Sequence, residues 1–132
     1  MSSSENPSKL VDGVVVIPTD NNSFFRAWLQ VMRPIHKLTP KEMDFFAIML
    51  KKRAKIASEI KDSFIIDSLL FKEESKAEML KEAGITDSHM KIILHNLRKN
   101  NVLINKRVNP RYIPDWEEGK PFRLMFIFKN ES

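Results

Sequence analysis

The order of elements between residues 75 and 128 constrains the fold of this chain more than any other feature. Ser75 and Glu78 have the spacing of a capping box, which predicts the start of a helix. Gly84, the residue best able to adopt a left-handed backbone, predicts where that helix ends. A second helix follows directly, and its N-cap candidates are Thr86, Asp87 and Ser88. Two helices with so short a connection form a helix-turn-helix.

The second predicted helix has an apolar side and a basic side. Its apolar residues recur at steps of three and four, at Met90, Ile93, Leu94 and Leu97. The same spacing leaves four polar residues on or near the exposed side, Lys91, His95, Arg98 and Lys99. Asn100 and Asn101 close the helix.

Two apolar runs after this helix predict a β-hairpin. Residues 102–104 and 123–128 have the composition of strands, and residues 114–120 between them contain the Pro, Asp and Gly that are typical of loops. We therefore expect two antiparallel strands, joined by this loop, beside the second helix.

The basic residues of the chain are concentrated on these elements. The net charge is +5, and residues 88–112 hold no Asp or Glu, whereas residues 62–87 carry an acidic excess. A face that is kept positive in this way favours an anionic partner, and we expect a nucleic-acid backbone. The alternative is a solvated face that only keeps the protein soluble. The basic residues in question are Lys91, Arg98, Lys99, Lys106, Arg107 and Arg111.

The first part of the chain predicts an arm and a helix. Residues 1–20 have the composition of a flexible tail or arm, in which residues 11–17 form a short strand or an extended segment. A helix should follow and should end at about Arg33, because a proline disfavours the helical conformation of the residue before it and Pro34 comes next. Its N-cap candidates are Asn21, Asn22 and Ser23.

The next helix has a strong start signal. Thr39 as N-cap, Pro40 at the first helical position and Glu42 three residues after the cap make a capping box, and the helix should reach about Ala57. The apolar residues between 64 and 70 fit a short helix, although their β-branched side chains leave a strand open.

One face of the helix after residue 20 is rich in large apolar groups, Phe24, Phe25, Trp28, Leu29 and Met32. Together they offer more apolar surface than a domain of this size is expected to cover alone. We therefore take this face as the candidate interface of a homodimer.

The residue inventory argues against metal chemistry, catalysis and membrane insertion. The chain has no Cys, and its three His are scattered; it also lacks a glycine-rich phosphate loop and a nucleophile motif. We therefore predict no catalytic residue, no metal and no cofactor. No apolar run approaches the roughly 20 residues of a membrane span, and the first residues lack the pattern of a signal peptide. The expected location is the cytoplasm of a bacterium, or of the host if the protein is phage-encoded.

Several short motifs between residues 38 and 128 carry a family resemblance. Gly84, Ile85 and Thr86, followed by Leu94, Leu97 and Asn100 and by the apolar residues 102–104, resemble the turn, leucine-spaced helix and strand of winged-helix regulators such as the MarR group. Leu38, Thr39 and Pro40 are similar to the helix start that those proteins have upstream. The run Asn109, Pro110, Arg111 and Tyr112 is similar to the Asn-Pro element of winged-helix initiators of plasmid and phage replication. The resemblance therefore does not select one branch of the family.

The resemblance implies a fold, a partner and a set of contacts. The fold would be α+β and mostly helical, a winged helix-turn-helix over residues 21–132 with an N-terminal helical extension and a C-terminal β-hairpin wing. The partner would be double-stranded DNA, with the start of the second helix in the major groove and the wing near the minor groove or the backbone. The implied DNA-binding residues are Thr86, Ser88, His89, Lys91, Arg98 and Lys99 on the helix, and Lys106, Arg107 and Arg111 on or beside the wing.

The predicted loop of the wing departs from this pattern. Asp115, Glu117 and Glu118 would repel phosphate, so we expect its tip to face away from DNA or to contact a protein.

The sequence thus predicts a double-stranded DNA-binding protein without catalysis, in the role of a transcriptional regulator. The alternative is a non-catalytic module of phage or mobile-element replication, or of virion assembly, that uses the winged helix for protein–protein contacts. No residue pattern separates the two.

Overall fold

The structure, a computed structural model, describes residues 10–11, 14–117 and 119–129. These residues are mostly helical, with two small pairs of antiparallel strands, so the α+β class is confirmed. In chain order the elements are strands β1 (Leu10–Val11) and β2 (Val14–Val15), helices α1 (Phe24–Val31), α2 (Arg33–His36), α3 (Pro40–Ala57), α4 (Ser63–Leu70), α5 (Glu73–Ala83) and α6 (Asp87–Lys99), strands β3 (Leu103–Ile104) and β4 (Arg107–Val108), and a 3₁₀ turn (Pro110–Tyr112).

The predicted N-terminal arm lies partly outside the described residues, which omit 1–9 and 12–13. β1 and β2 pair antiparallel, with Leu10 opposite Val15. Residues 16–20 contain no helix or strand. The segment expected as a single strand or arm over residues 11–17 therefore contains, in its described part, the last residue of β1, the whole of β2 and irregular chain at 16–17.

Helix α3 is the centre of the molecule. It packs against α1, α4, α5 and α6. A helix with neighbours on several sides is buried over more than one stripe. Its buried apolar residues, all part of the hydrophobic core, are Met43, Phe45, Phe46, Met49 and Leu50.

The start of α3 confirms the predicted capping box. Thr39 Oγ1 accepts a hydrogen bond from the Glu42 N–H at 3.2 Å, and Glu42 Oε1 accepts one from the Thr39 N–H at 3.0 Å. The start of α6 has the first of these two bonds, because Thr86 Oγ1 accepts from the His89 N–H at 3.1 Å. Gly84 ends α5 with a φ of 67°, as its left-handed preference predicts.

The capping box expected at Ser75 and Glu78 is wrong. Helix α5 begins two residues before Ser75, at Glu73, which places a negative charge at the positive end of the helix dipole. Ser75 Oγ instead donates a hydrogen bond to Leu69 O at 2.7 Å, and Glu78 pairs with Lys52 of α3. The proximity of α4 and α3 therefore gives both side chains partners that lie outside their own helix.

The apolar stretch before α5 is a helix, which settles the alternative of helix or strand. Asp62 caps α4 by accepting hydrogen bonds from the N–H groups of Phe64 and Ile65, at 2.9 and 3.2 Å. A capped start and the packing of α4 on α3 outweigh the strand preference of the β-branched residues.

Helix α1 starts from a cap that the sequence did not single out. Ser23, at the N-cap position, makes no side-chain cap bond. The Asp20 carboxylate instead accepts from the N–H groups of Ser23 and Asn22, both at 2.9 Å, and these hydrogen bonds lower the pKa of Asp20 below its usual 3.8. The helix ends at Val31, and Pro34 lies inside the next short helix, α2.

The apolar face of α1 is buried within the chain, which corrects its assignment to a dimer interface. The Phe122 ring centroid lies 5.2 Å from that of Phe24 and 5.5 Å from that of Trp28, and Trp116 packs against Phe24 at 5.4 Å. The C-terminal part of the chain thus covers the face that the sequence left open. A homodimer stays a prediction, but it requires another surface. The residues concerned are Phe24, Phe25, Trp28 and Leu29, which are at most 9% exposed, and Met32, which is partly buried.

The hairpin after α6 is shorter than predicted and has a different second strand. β3 pairs with β4, with Leu103 opposite Val108 and Ile104 opposite Arg107. Asn105 has a φ of 58°, a left-handed conformation that Asn tolerates and that turns the chain directly after β3.

The predicted strand at residues 123–128 is therefore wrong. Residues 114–117 and 119–120 contain no helix or strand, as predicted for a loop, but they do not join the strands of the hairpin. Residues 123–128 form no strand either. The segment has the composition of a strand, but strand formation needs a neighbouring backbone, and none pairs with it among the described residues.

His36 is a buried polar residue between α1 and α3. Its Nε2 lies 2.7 Å from Leu29 O, and its Nδ1 lies 2.9 Å from the backbone N of Leu38. Because a carbonyl oxygen only accepts, Nε2 carries the proton and Nδ1 accepts from the Leu38 N–H. The neutral ring satisfies both contacts, and burial lowers the pKa of His36 below its usual 6.5.

We expect mild acid to destabilise the fold through His36. A histidine with a lowered pKa in the folded chain stabilises fully above pH 6.5, and this contribution is lost as the pH falls below that value. The urea midpoint should therefore fall between about pH 7.5 and 5.5. His36→Leu should be less stable by roughly 1–3 kcal/mol, because two backbone groups lose their partner, and its midpoint should fall less with pH. The matched control is His95→Gln, at an exposed histidine, whose urea midpoint should change with pH as that of the wild type does. If the midpoint of His36→Leu also falls with pH as in the wild type, groups other than His36 cause the loss of stability in acid.

Candidate nucleic-acid interface

The exposed side of α6 carries the predicted polar residues. A helix with 3.6 residues per turn places six of its residues within about one third of its circumference. These six are all exposed: Ser88, Lys91, Ile92, His95, Arg98 and Lys99. The buried side is made of Met90, Ile93, Leu94 and Leu97, as predicted.

Two contacts fix the direction in which α6 presents this side. Asn96 Nδ2 donates a hydrogen bond to Glu42 Oε2 at 2.8 Å, and the other oxygen of that carboxylate belongs to the capping box of α3. Glu42 is 8% exposed, so this contact is shielded from water. On the opposite side of α6, Leu97 is fully buried in the hydrophobic core. A rotation that turned the basic side away would break the Asn96–Glu42 bond and expose Leu97.

A buried carboxylate anchors the hairpin. Asp67 on α4 is 1% exposed; its Oδ1 accepts from Arg53 Nε at 2.8 Å, and its Oδ2 lies 3.4 Å from Arg107 Nε on β4. Arg107 also donates to Ser63 Oγ at 3.2 Å, and its guanidinium lies 4.0 Å from the centroid of the Phe64 ring. Asp67 therefore joins α3, α4 and the hairpin. Arg107, predicted as a phosphate contact, is half-buried and largely committed to these internal partners.

Three basic residues in the C-terminal half of α3 are neutralised within the chain. Three consecutive basic side chains, Lys51, Lys52 and Arg53, meet carboxylates of α4 and α5. Their partners are Glu82 at 3.7 Å, Glu78, and Asp67 at 2.8 Å. The Lys52 ammonium holds the pKa of Glu78 below its usual 4.5. Acidic residues between 62 and 87 therefore pair with basic residues of α3 and offset their charge.

The basic residues of α6 and the hairpin are not neutralised in this way. In the part of the chain that the structure describes, no carboxylate lies within 4.0 Å of four exposed residues, Arg98, Lys99, Lys106 and Arg111. Lys91 pairs with Asp87 at 3.1 Å, but both side chains are well exposed and such a pair contributes little. Unpaired positive charge is therefore clustered on these two elements, while single exposed lysines elsewhere, such as Lys55 and Lys61, also have no carboxylate within 4.0 Å among the described residues.

The remaining predicted contacts lie at the start of α6. Thr86 is exposed, but its Oγ1 is already the cap acceptor of the helix. Ser88 is exposed in the first turn, and His89 is half-buried beside it. The structure thus gathers Ser88, Lys91, Arg98 and Lys99 on one side of α6, and it places Lys106 at the tip of the adjoining hairpin.

The Asn-Pro element after the hairpin has a structural role. Asn109 Nδ2 donates to Asn101 O at 2.8 Å, and the Asn109 N–H donates to Val102 O at 3.0 Å. Its Oδ1 accepts from the Arg111 N–H at 3.1 Å, which starts the 3₁₀ turn. Asn109 therefore closes the base of the hairpin and holds exposed Arg111 next to it.

The acidic loop is not the tip of the hairpin, which corrects the expected conflict with phosphate. The tip consists of Asn105 and Lys106. Asp115 and Glu117 lie farther along the chain, in a segment that lines an open cleft with the C-terminal half of α3. Glu118 lies outside the described residues.

Sequence reasoning missed Asp67, Asn96 and Ile92. Asp67 is an isolated acid inside an apolar run, which is a signal for a buried, paired carboxylate. Ile92 is 59% exposed in the middle of the basic side, and the helical spacing already places it there. Nothing local marks Asn96, because its partner Glu42 lies on another helix.

No protein-family model, curated protein or solved structure matches this chain. Among the described residues, no helix has the length and apolar content needed to cross a membrane, and no three His, Asp or Glu side chains are grouped as metal ligands.

We expect Asp67→Ala to destabilise the protein by about 3–5 kcal/mol, because it leaves the Arg53 guanidinium buried without a counter-charge. Chemical denaturation followed by circular dichroism measures this loss. The matched control is Asp44→Ala, which breaks an exposed pair with Arg26 and should cost no more than about 1 kcal/mol. Equal losses in the two variants would contradict the anchoring role of Asp67.

Proposed function

We propose that this protein binds double-stranded DNA, without catalysis, through the exposed side of α6 and the β3–β4 hairpin. The observation that carries the proposal is the location of the unpaired positive charge. Lys51, Lys52 and Arg53 of α3 have internal carboxylate partners, whereas Arg98, Lys99 and Lys106 are exposed together on α6 and the hairpin tip and have no such partner among the described residues. A row of unpaired Lys and Arg on one surface suits the phosphates of a duplex.

The shape of α6 supports a duplex as the partner. An α-helix with its side chains is about 10–12 Å across, and the major groove of B-DNA is about 12 Å wide. Ser88 and Lys91 lie in the first turns of the helix, where they would reach base edges or phosphates. Arg98 and Lys99 lie near its end, where they would contact the backbone.

The order of elements supports a winged-helix arrangement. Helices α3, α5 and α6 are followed by an antiparallel hairpin that packs beside α6. With two residues in each strand, this wing is short, so we propose that Lys106 at its tip and Arg111 at its base contact the phosphate backbone rather than enter the minor groove. Asp67 would hold the wing in place through Arg107.

A transcriptional regulator in the cytoplasm of a bacterium or of a phage host is the role that we propose for this DNA-binding module. A replication or virion-assembly module is the second candidate. It is favoured by residues 124–128, an exposed apolar segment suited to contacts with protein.

Replacing Arg98 and Lys99 together by Ala should weaken DNA binding by at least about tenfold near 100 mM salt, because two phosphate contacts are lost. The slope of the logarithm of affinity against the logarithm of salt concentration should become less steep by about 2. Fluorescence anisotropy of a labelled random-sequence duplex, titrated at several salt concentrations, measures both quantities.

The matched control is Lys55→Ala with Lys61→Ala, which removes the same charge from exposed residues at and beyond the end of α3. This control should bind nearly as tightly as the wild type. Equal weakening in the two double variants would show that the affinity depends only on net charge, and it would rule out α6 as the binding site. Absence of binding by the wild type even at low salt would overturn the proposed function.

Asp87→Asn should have the opposite effect and strengthen DNA binding. It removes a carboxylate that pairs with Lys91 at the start of α6 and that would repel phosphate. A change of about 1 kcal/mol, or roughly fivefold in affinity, is expected for one charge near a solvated contact. Asp115→Asn removes the same charge from the segment beside α3 and should leave the affinity nearly unchanged in the same titration. Weaker binding by Asp87→Asn would argue against phosphate near the start of α6.

A further inference from the structure

The C-terminal segment exposes five consecutive large apolar side chains. Within the described residues, the backbone groups of 121–129 make no hydrogen bonds to other parts of the chain. Single exposed apolar residues are common on proteins, but a continuous run marks an interaction site. The exposed fractions are 46% for Leu124, 82% for Met125, 85% for Phe126, 79% for Ile127 and 95% for Phe128.

This segment leaves the core beside an apolar cleft. Phe122 packs against the rings of Phe24 and Trp28, which anchors the start of the segment on α1. The cleft next to it has a volume of about 550 Å³, and Val31 and Leu124 also line it. The exposed run therefore begins at the mouth of an open apolar cleft.

We propose that two copies of this chain associate through residues 122–128, which pair antiparallel with the same residues of the second copy about a two-fold axis at Met125. Each copy then supplies the strand partner that the other lacks. The backbone hydrogen bonds that are missing within one chain form between the two.

The alternation of side chains along a strand explains how this pairing would cover the cleft. In extended chain, Phe122, Leu124, Phe126 and Phe128 point to one side. Phe122 already packs on α1, so this side faces the cleft. About an axis at Met125, the second copy places its Phe128 opposite Phe122 and its Phe126 opposite Leu124, on the same side. The exposed end of each segment thus lies over the cleft of the other copy.

The charges at the two ends of the segment select this register. When a two-fold axis runs normal to an antiparallel strand pair, the residue on the axis lies opposite the same residue of the second copy. An axis at Phe126 would set Arg123 opposite Lys129, and like charges directly opposite each other are destabilising. An axis at Met125 sets Arg123 opposite Ile127 instead. An axis at Leu124 would set Ile127 opposite Pro121, which has no N–H to donate.

The available surface is sufficient for a specific dimer. A phenylalanine buries roughly 150–250 Å² when it enters an interface, so Phe126 and Phe128 of both copies contribute at least about 600 Å². Met125, Ile127 and the walls of the two clefts bring the total to the order of 1,200 Å², the lower bound of specific interfaces. Two paired strands alone are only marginally stable, so covering the clefts is the necessary part of the association.

The first test is the mass of the protein in solution, measured without nucleic acid by size-exclusion chromatography with light scattering. The wild type should be a dimer at about 100 µM, and Phe126→Asp should be a monomer with an unchanged circular dichroism spectrum, because Phe126 packs against no core residue. Ile65→Asp, at an apolar residue of α4 that is 49% exposed, is the matched control and should stay dimeric. A monomeric wild type, or a dimeric Phe126→Asp variant, would overturn the proposal.

The second test measures the register by cross-linking. The chain has no Cys, so each variant carries a single thiol. Directly opposite strand residues have Cα atoms about 4.5–5.5 Å apart, within the range of a disulfide. Under mild oxidation Met125→Cys should form a covalent dimer, whereas Arg123→Cys and Ile127→Cys should cross-link efficiently only when they are mixed with each other. Equal cross-linking of the three variants, or a series of larger aggregates, would show non-specific adhesion and overturn the proposal.

Discussion

The buried carboxylate of Asp67 is the interaction on which the rest of the structure depends. A carboxylate that is 1% exposed is tolerated only with charged or hydrogen-bonding partners, and two guanidinium groups supply them. Arg53 brings α3 to this carboxylate, and Arg107 brings the hairpin. The stability of the helical core and the position of the hairpin are therefore coupled through one residue. A change in α4 that displaces Asp67 would therefore also displace the hairpin, although α4 is not part of the basic surface.

The same principle of internal pairing explains the distribution of charge on the surface. Acidic residues of α4 and α5 face the basic end of α3, so that the charges of these three helices largely cancel. α6 turns its basic side away from them, and Glu42 with Asn96 keeps it in that orientation. Arg98 and Lys99 on this side thus contribute to the net charge of +5 without a carboxylate partner among the described residues.

Most features encoded by neighbouring residues could be predicted from the sequence, whereas features that depend on distant partners, including the hydrogen bond of Ser75 and the ion pair of Glu78, could not. The capping box of Thr39 and Glu42 and the buried side of α6 both arise within a few residues, and both were predicted correctly. The strand expected at residues 123–128 and the open face of α1 were wrong. The face of α1 is covered by residues far away in the chain, as for Trp28, whose Nε1–H donates to Tyr112 O across 84 residues, whereas residues 123–128 have no partner strand among the described residues. The hairpin strands of two residues are too short to show the alternation that identifies a strand.

On the candidate site, the sequence located the exposed basic residues of α6. It could not show the internal role of Arg107, because that role depends on Asp67, 40 residues away.

The aromatic cluster at α1 has a spectroscopic consequence. The chain has two tryptophans, and both lie where α1 meets the C-terminal part of the chain: Trp28 is buried and hydrogen-bonded to Tyr112 O at 3.0 Å, and Trp116 packs against Phe24 and Phe25. Neither lies on α6 or the hairpin. The intrinsic fluorescence of the protein therefore reports on one junction of the molecule. Loosening of the C-terminal part would expose the indoles and shift their emission to the red, whereas a ligand on the basic surface would leave the emission almost unchanged.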